Sequence, residues 1–102
     1  MGMGNLAKMA QQMQADMARV ETELAALRVE GTAGGGVVKA VVTGKRDLVS
    51  VTIEPSAVDP DDVEMLQDLV VAAVSDALQQ ARKAEEERLA RVTGGLRIPG
   101  MG

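Results

Sequence analysis

Apolar residues recur along this chain with two periods, and the change from one to the other divides it. Leu6, Ala10, Met13, Met17, Val20, Leu24 and Leu27 are spaced 4, 3, 4, 3, 4, 3. That is the repeat of a narrow seam on a helix built to meet another helix. Lys8, Gln11, Gln12, Gln14, Asp16, Arg19, Glu21 and Glu23 lie between the seam positions, so the rest of the surface is solvated. A helix is predicted over residues 6–27, with Asn5 as its N-cap. From Arg28 the period drops to two. Val49, Val51 and Ile53 alternate with Ser50, Thr52 and Glu54, the pattern of a strand with one buried face. Residues 37–43 are apolar on both faces, as in a central strand. Gly34-Gly35-Gly36 and Gly44-Lys45-Arg46-Asp47 break the run at lengths suited to hairpins. A three-stranded antiparallel meander is predicted over residues 28–54, its first strand being Arg28–Ala33.

Pro55 closes the last strand, and Asp59-Pro60-Asp61-Asp62 opens a second helix. Asp59 is the expected N-cap and Pro60 the first helical residue, with acids in the first turn. The predicted helix, residues 60–92, changes character halfway. From Val63 to Leu78 it is broadly apolar and expected to be buried against the sheet and a partner surface. From Gln79 it is solvated, with a thin stripe at Ala81, Ala84 or Ala77, and Leu89. Gly94-Gly95 ends it, and residues 94–102 form a tail. The expectation is one α+β domain, residues 1–102, of order α-β-β-β-α. Its apolar surface exceeds what one helix and three strands can cover, and patches of that size are rare on monomers. A homodimer is therefore expected, with Val38, Val42, Leu66, Val70 and Val74 at its interface.

Composition narrows the chemistry. The 102 residues include no aromatic, histidine or cysteine. That excludes base-stacking platforms, the commonest general base, the usual zinc ligands, a thiol nucleophile and disulfides. No apolar run approaches the roughly 20 residues of a membrane span, and a basic stretch followed by an apolar block is missing from the start. A cytoplasmic protein is expected. The net charge of −4 is unevenly spread. Asp59, Asp61, Asp62, Glu64, Asp68 and Asp76 share one stretch without Lys or Arg, which leaves basic ends elsewhere.

Gly44-Lys45 fails the phosphate-loop pattern at both ends, since Lys39 stands where glycine is needed and Arg46 follows the lysine. Helix capping accounts for Asp59, Asp61 and Asp62 without a metal. Glu85-Glu86-Glu87 reads as a solvated face paired along the helix with Arg82, Lys83 and Arg88, and the seven methionines as core and seam filling. No enzyme, cofactor, metal or small-molecule substrate is expected. What remains is shape. A helix over residues 60–92 is about 50 Å long, far wider than three strands about 4.8 Å apart. Both helices should overhang the sheet as prongs bearing Lys8, Arg82, Lys83, Arg88 and Arg91, the candidate contacts to DNA phosphates.

Several fragments, in order and at matching spacing, resemble the YbaB/EbfC family of small bacterial nucleoid-associated proteins. They are Gly4-Asn5-Leu6 with Lys8-Met9 and Gln11-Gln12-Met13, Gly36-Val37-Val38-Lys39-Ala40 and Gly44, and Val51-Thr52-Ile53-Glu54-Pro55. Residues 64–73 with Asp76-Ala77, and Gly95-Leu96-Arg97-Ile98-Pro99-Gly100, complete the match. The resemblance implies a tweezer-like dimer with paired projecting helices. It also implies cytoplasmic, nucleoid-associated binding of duplex DNA with little or no sequence specificity, affecting gene expression. The competing expectation is a non-DNA scaffold, an acidic helical dimer that holds a partner protein.

Overall fold

The computed structural model describes residues 3–94. Helix α1 (Met3–Ala26) leads into strands β1 (Arg28–Ala33), β2 (Val38–Thr43) and β3 (Leu48–Ile53), and helix α2 (Val63–Gly94) follows. The strands form one antiparallel sheet in the order β1-β2-β3, which is the predicted α-β-β-β-α arrangement. β1 and β2 pair from Arg28 with Thr43 to Ala33 with Val38. A bulge at Val41/Val42 interrupts the β2–β3 ladder. Between β1 and β2, Gly34, Gly35 and Gly36 all have positive φ, at 63°, 74° and 98°. Three such residues in a row form a turn that only glycine makes without strain.

The boundaries moved where capping decides them. α1 already runs from Met3, so Asn5 lies inside the helix instead of capping it. α2 begins at Val63, not Pro60. Its N-cap is Asp62, whose Oδ1 accepts from the Met65 amide at 3.1 Å. Asp59 instead closes a turn, accepting from the Asp61 amide at 3.0 Å. The acidic tetrad holds both a turn and a cap, and the nearer aspartate takes the helix. The β2–β3 turn supplies a donor at the C-terminal end of α1, where the Gly44 amide donates to Leu24 O (2.9 Å) and to Leu27 O just past the helix (3.2 Å). The tail expected at residues 94–102 lies, from residue 95, outside the described residues.

The core is unusual in what it is made of. α2 lies on β1 and β2 through Ala73, Ala77 and Ala81, all fully buried, one turn apart on a single stripe. Across from them are Gly31 on β1 and Val38, Ala40 and Val42 on β2. The approach is so close that a Cβ on Gly31 would collide with the Ala73 carbonyl oxygen and the Ala77 amide nitrogen. Small residues thus do the packing inside the protomer. The larger aliphatics surround that contact: Leu66, Leu69, Val70, Val74 and Leu78 are half-buried, and Met65 and Val71 are exposed. This corrects part of the expected interface. Val38 and Val42 have no accessible surface, because β2's apolar face lies under α2, so they belong to the protomer's own core. Leu66, Val70 and Val74 keep accessible surface.

Two contacts mark the sides of α2. On one side, Asp76 Oδ2 accepts from the Thr32 amide of β1 at 3.0 Å. On the other, Glu85 pairs with Arg46 of the β2–β3 turn at 2.9 Å. At 100° per residue, Val71, Val74 and Leu78 share the Glu85 side. β3 lies toward the same side of the sheet, with Val49 and Ile53 exposed and Val51 half-buried. An apolar face of α2 and β3 is left open, while at the outer edge of β1 Asp76 takes the Thr32 amide. The molecule measures 72 × 28 × 16 Å, with a radius of gyration of 19.7 Å. A compact chain of this length would have about 13 Å. The difference is made by the two helices.

Candidate nucleic-acid interface

α1 and α2 meet beyond the sheet. Val20 and Leu24, the inner part of the α1 seam, are buried there. Arg88 Nε lies 3.7 Å from Glu23 Oε2 in a half-buried pair that ties the helices together. Nε itself donates no hydrogen bond in this arrangement. Around this junction the cations fall into two groups. On the α1 side a groove is lined by Arg19, Arg88 and Arg91 with Asp16, Glu23 and Val92. Arg19 is held by Asp16 at 2.9 Å. On the β1 side a second groove is lined by Arg28, Lys83 and Arg88 with Glu30 and Glu87. Arg82, on α2, lines shallow surfaces with Gln79, Lys83 and Glu86 on one hand and Ser75 and Asp76 on the other.

The five predicted basic residues are thus not gathered at one tip. Arg82, Lys83 and Arg91 are exposed along the outer half of α2, while Arg88 sits between the helices. Lys8 is exposed on α1 and stands apart. Arg91 reaches α1 near Asp16, eight residues or about 12 Å along the helix from Lys8. Among the described residues Lys8 lies beyond the junction, because α1 and α2 meet near the root of α1's overhang. Arg19 and Arg28, outside the predicted set, also line the two grooves. Arg28 caps α1, its Nη1 donating to Ala25 O (3.2 Å) and Leu27 O (3.3 Å), where a cation also suits the helix dipole. The strand pattern conceals that role. Arg19 was visible only as a solvated position, since its neighbours on α2 depend on the register between the helices.

Charge is segregated along the sequence. No Lys or Arg occurs between Asp47 and Ala81, whereas that stretch carries Glu54, Asp59, Asp61, Asp62, Glu64, Asp68 and Asp76. Lys45 and Arg46, in the β2–β3 turn, lie on the basic side, since the turn is fastened to α1 through Gly44 and to α2 through Glu85. Among the described residues no cluster of acidic side chains is placed to hold a metal ion, and no helix is long and apolar enough to cross a membrane.

Comparison with known proteins identifies the family. The model of the YbaB/EbfC DNA-binding family matches residues 1–96. A nucleoid-associated protein of Moorella thermoacetica is 52% identical, over 98% of this chain and 99% of that protein. One from Desulforamulus reducens is 54% identical over 97% and 94%, and one from Chloroflexus aurantiacus 53% over 95% and 97%. The crystal structure of an uncharacterised protein, HP0035 from Helicobacter pylori, has the same fold, with a TM-score of 0.68 at 23% identity over 94% of this chain and 97% of that one. The chain belongs to the YbaB/EbfC DNA-binding family.

Proposed function

We propose that the chain acts as a homodimeric, nucleoid-associated protein that holds duplex DNA through phosphate contacts from the outer halves of its helices, with little regard for sequence. The observation that carries this reading is the segregation of charge. Every Lys and Arg lies outside residues 47–81, and Arg82, Lys83 and Arg91 are exposed beside the helix junction. Phosphate contacts position a protein without reading bases, and the chain has no aromatic side chain to stack on a base. Arg88 serves in positioning, because its charge is engaged by Glu23. Lys8 extends the contact outward along α1, and Arg19 and Arg28 add to the same field.

The dimer is argued from surface. The accessible area is 7193 Å², about 1,700 Å² above that of a compact monomer of this mass. A standard interface removes about 800 Å² from each partner. The open face of α2 and β3, with Val71, Val74, Leu78, Val49, Val51 and Ile53, supplies apolar area for it, and Leu66 and Val70 continue it. A two-fold pair presents every cation twice.

The test is a fluorescence-anisotropy titration against two duplexes of equal length and unrelated sequence. Lys83→Ala combined with Arg91→Ala should weaken binding to both by about tenfold or more. Lys39→Ala, on the outer sheet face and paired with Glu30 at 3.4 Å, should change it little. If the sheet variant loses binding and the helix variant keeps it, the contact surface is elsewhere.

A further inference from the structure

The groove between α1 and α2 holds more donors than acceptors. Three arginines line it, Arg19 and Arg91 exposed and Arg88 half-buried, together with two carboxylates, Asp16 and Glu23. Asp16 is half-buried, and its Oδ1 accepts from two side chains of its own helix, Gln12 Nε2 at 3.0 Å and Arg19 Nη2 at 2.9 Å. Glu23 stands 3.7 Å from Arg88 Nε, too far for a hydrogen bond. That buried nitrogen donates to nothing among the described residues, and such orphaned donors are rare. One positive charge is left over in a space of about 190 Å³ bounded by both helices.

We propose that this groove seats one backbone phosphate of the bound duplex between Arg19 and Arg91, and that Asp16 holds Arg19 as a built-in competitor until the phosphate displaces it. This seat rests on the phosphate-contact reading above, and adds to it a defined site with its own restraint. A carboxylate and a phosphate engage the same fork of guanidinium N–H donors, so Asp16 and a phosphate compete for one side chain. The pair that must open is weak. The Arg19 side chain is 62% exposed, and exposed ion pairs three residues apart on a helix contribute little. Opening it does not strand the carboxylate, because Gln12 still donates to Oδ1. Glu23 has a different part. Its pair with Arg88 joins α2 to α1, so Arg88 stays with it and keeps Arg91 in the same groove as Arg19. A duplex phosphate reaches this seat more readily than a free one. Arg82 and Lys83 on the same helix hold the strand and raise its effective concentration there. Binding is thereby weaker than the same cations would give without Asp16.

The test is a double-mutant cycle on the full-length chain, read by anisotropy on one duplex, with circular dichroism to show that each variant keeps its helices. Asp16→Asn retains an acceptor for Gln12 and removes the charge, and should tighten binding about threefold. Arg19→Ala alone should change affinity by less than about twofold, because Asp16 already engages that side chain. In an Arg19→Ala or an Arg91→Ala background the gain from Asp16→Asn should vanish. Glu21→Gln makes the same change of charge on α1, on a face shared with Met13 and Met17, and should leave affinity unchanged. An equal gain from Glu21→Gln, or a gain that survives Arg19→Ala, would reduce the effect to net charge and overturn the seat. So would a gain lost when inorganic phosphate replaces chloride at equal ionic strength, since free phosphate would then be the occupant. No gain from Asp16→Asn, in a protein whose binding still falls with Lys83→Ala and Arg91→Ala, overturns the seat and keeps the phosphate-contact reading. Binding that ignores the Lys83 and Arg91 changes overturns both.

Discussion

At the scale of single residues, the fold turns on how near a helix can come to a strand. Gly31 is where α2 and β1 touch backbone to backbone, and an added methyl would meet Ala73 O and Ala77 N. Those are main-chain atoms, which cannot swing aside as a side chain can. Gly31→Ala should therefore cost about 3 kcal/mol, the upper end of overpacking. Thermal melting should show a midpoint lower by roughly 10 °C or more. The caps give a second case. Asp62→Ala removes the acceptor of the Met65 amide and should cost about 1 kcal/mol. Asp59→Ala, which loses only a turn contact, should cost less than half of that in the same denaturant titration. Reversed costs would place the cap at Asp59. The sequence pattern pointed to Asp59 because Asp-Pro is a strong helix-start signal. Three aspartates within four residues compete for that role, and only backbone geometry separates them.

At the scale of elements, α2 has two kinds of apolar surface, and hydrophobicity alone does not tell them apart. Val63–Leu78 reads as one broad apolar stretch. Its alanines take the sheet, and its valines and leucines are left beside them. The alternation of β3 and the two-sided character of β2 were legible, as was the α-β-β-β-α order, because periodicity reports which residues share a face. Which face meets which neighbour was not. Val38 and Val42 therefore seemed available for an interface that their burial in the protomer denies them. The distinction has a measurable consequence. Val71 is 65% exposed in the protomer, so Val71→Asp should leave the fold intact. It should weaken dimerisation about a hundredfold by sedimentation, as a charge placed in an apolar contact does. Ala73→Asp puts an unpaired charge into the core and should unfold the chain outright. If both variants fold and dimerise alike, the α2–β3 face is not the interface.

At the scale of the whole molecule, an acidic body carries two helices whose basic residues cluster near the place where those helices meet. The prongs were legible from length alone, since helices of this size cannot be covered by three strands. The positions of the cations were not, because the register between α1 and α2 decides that Arg91 lies by Arg19 while Lys8 stands alone. Net charge is a poor guide to such a protein. A duplex senses the nearest surface, and fields beyond about 10 Å are screened at moderate salt.

The central claim is that DNA is held by phosphate contacts from the helices of a dimer, and its most direct test is the salt dependence of binding. Each phosphate contact contributes a slope of about −0.9 to log K against log salt. Two contacts from each of two protomers give about −4 for wild type. Lys83→Ala with Arg91→Ala should flatten the slope to −2 or less in magnitude on any duplex. A wild-type slope near zero, or one that the double variant leaves unchanged, would contradict the account.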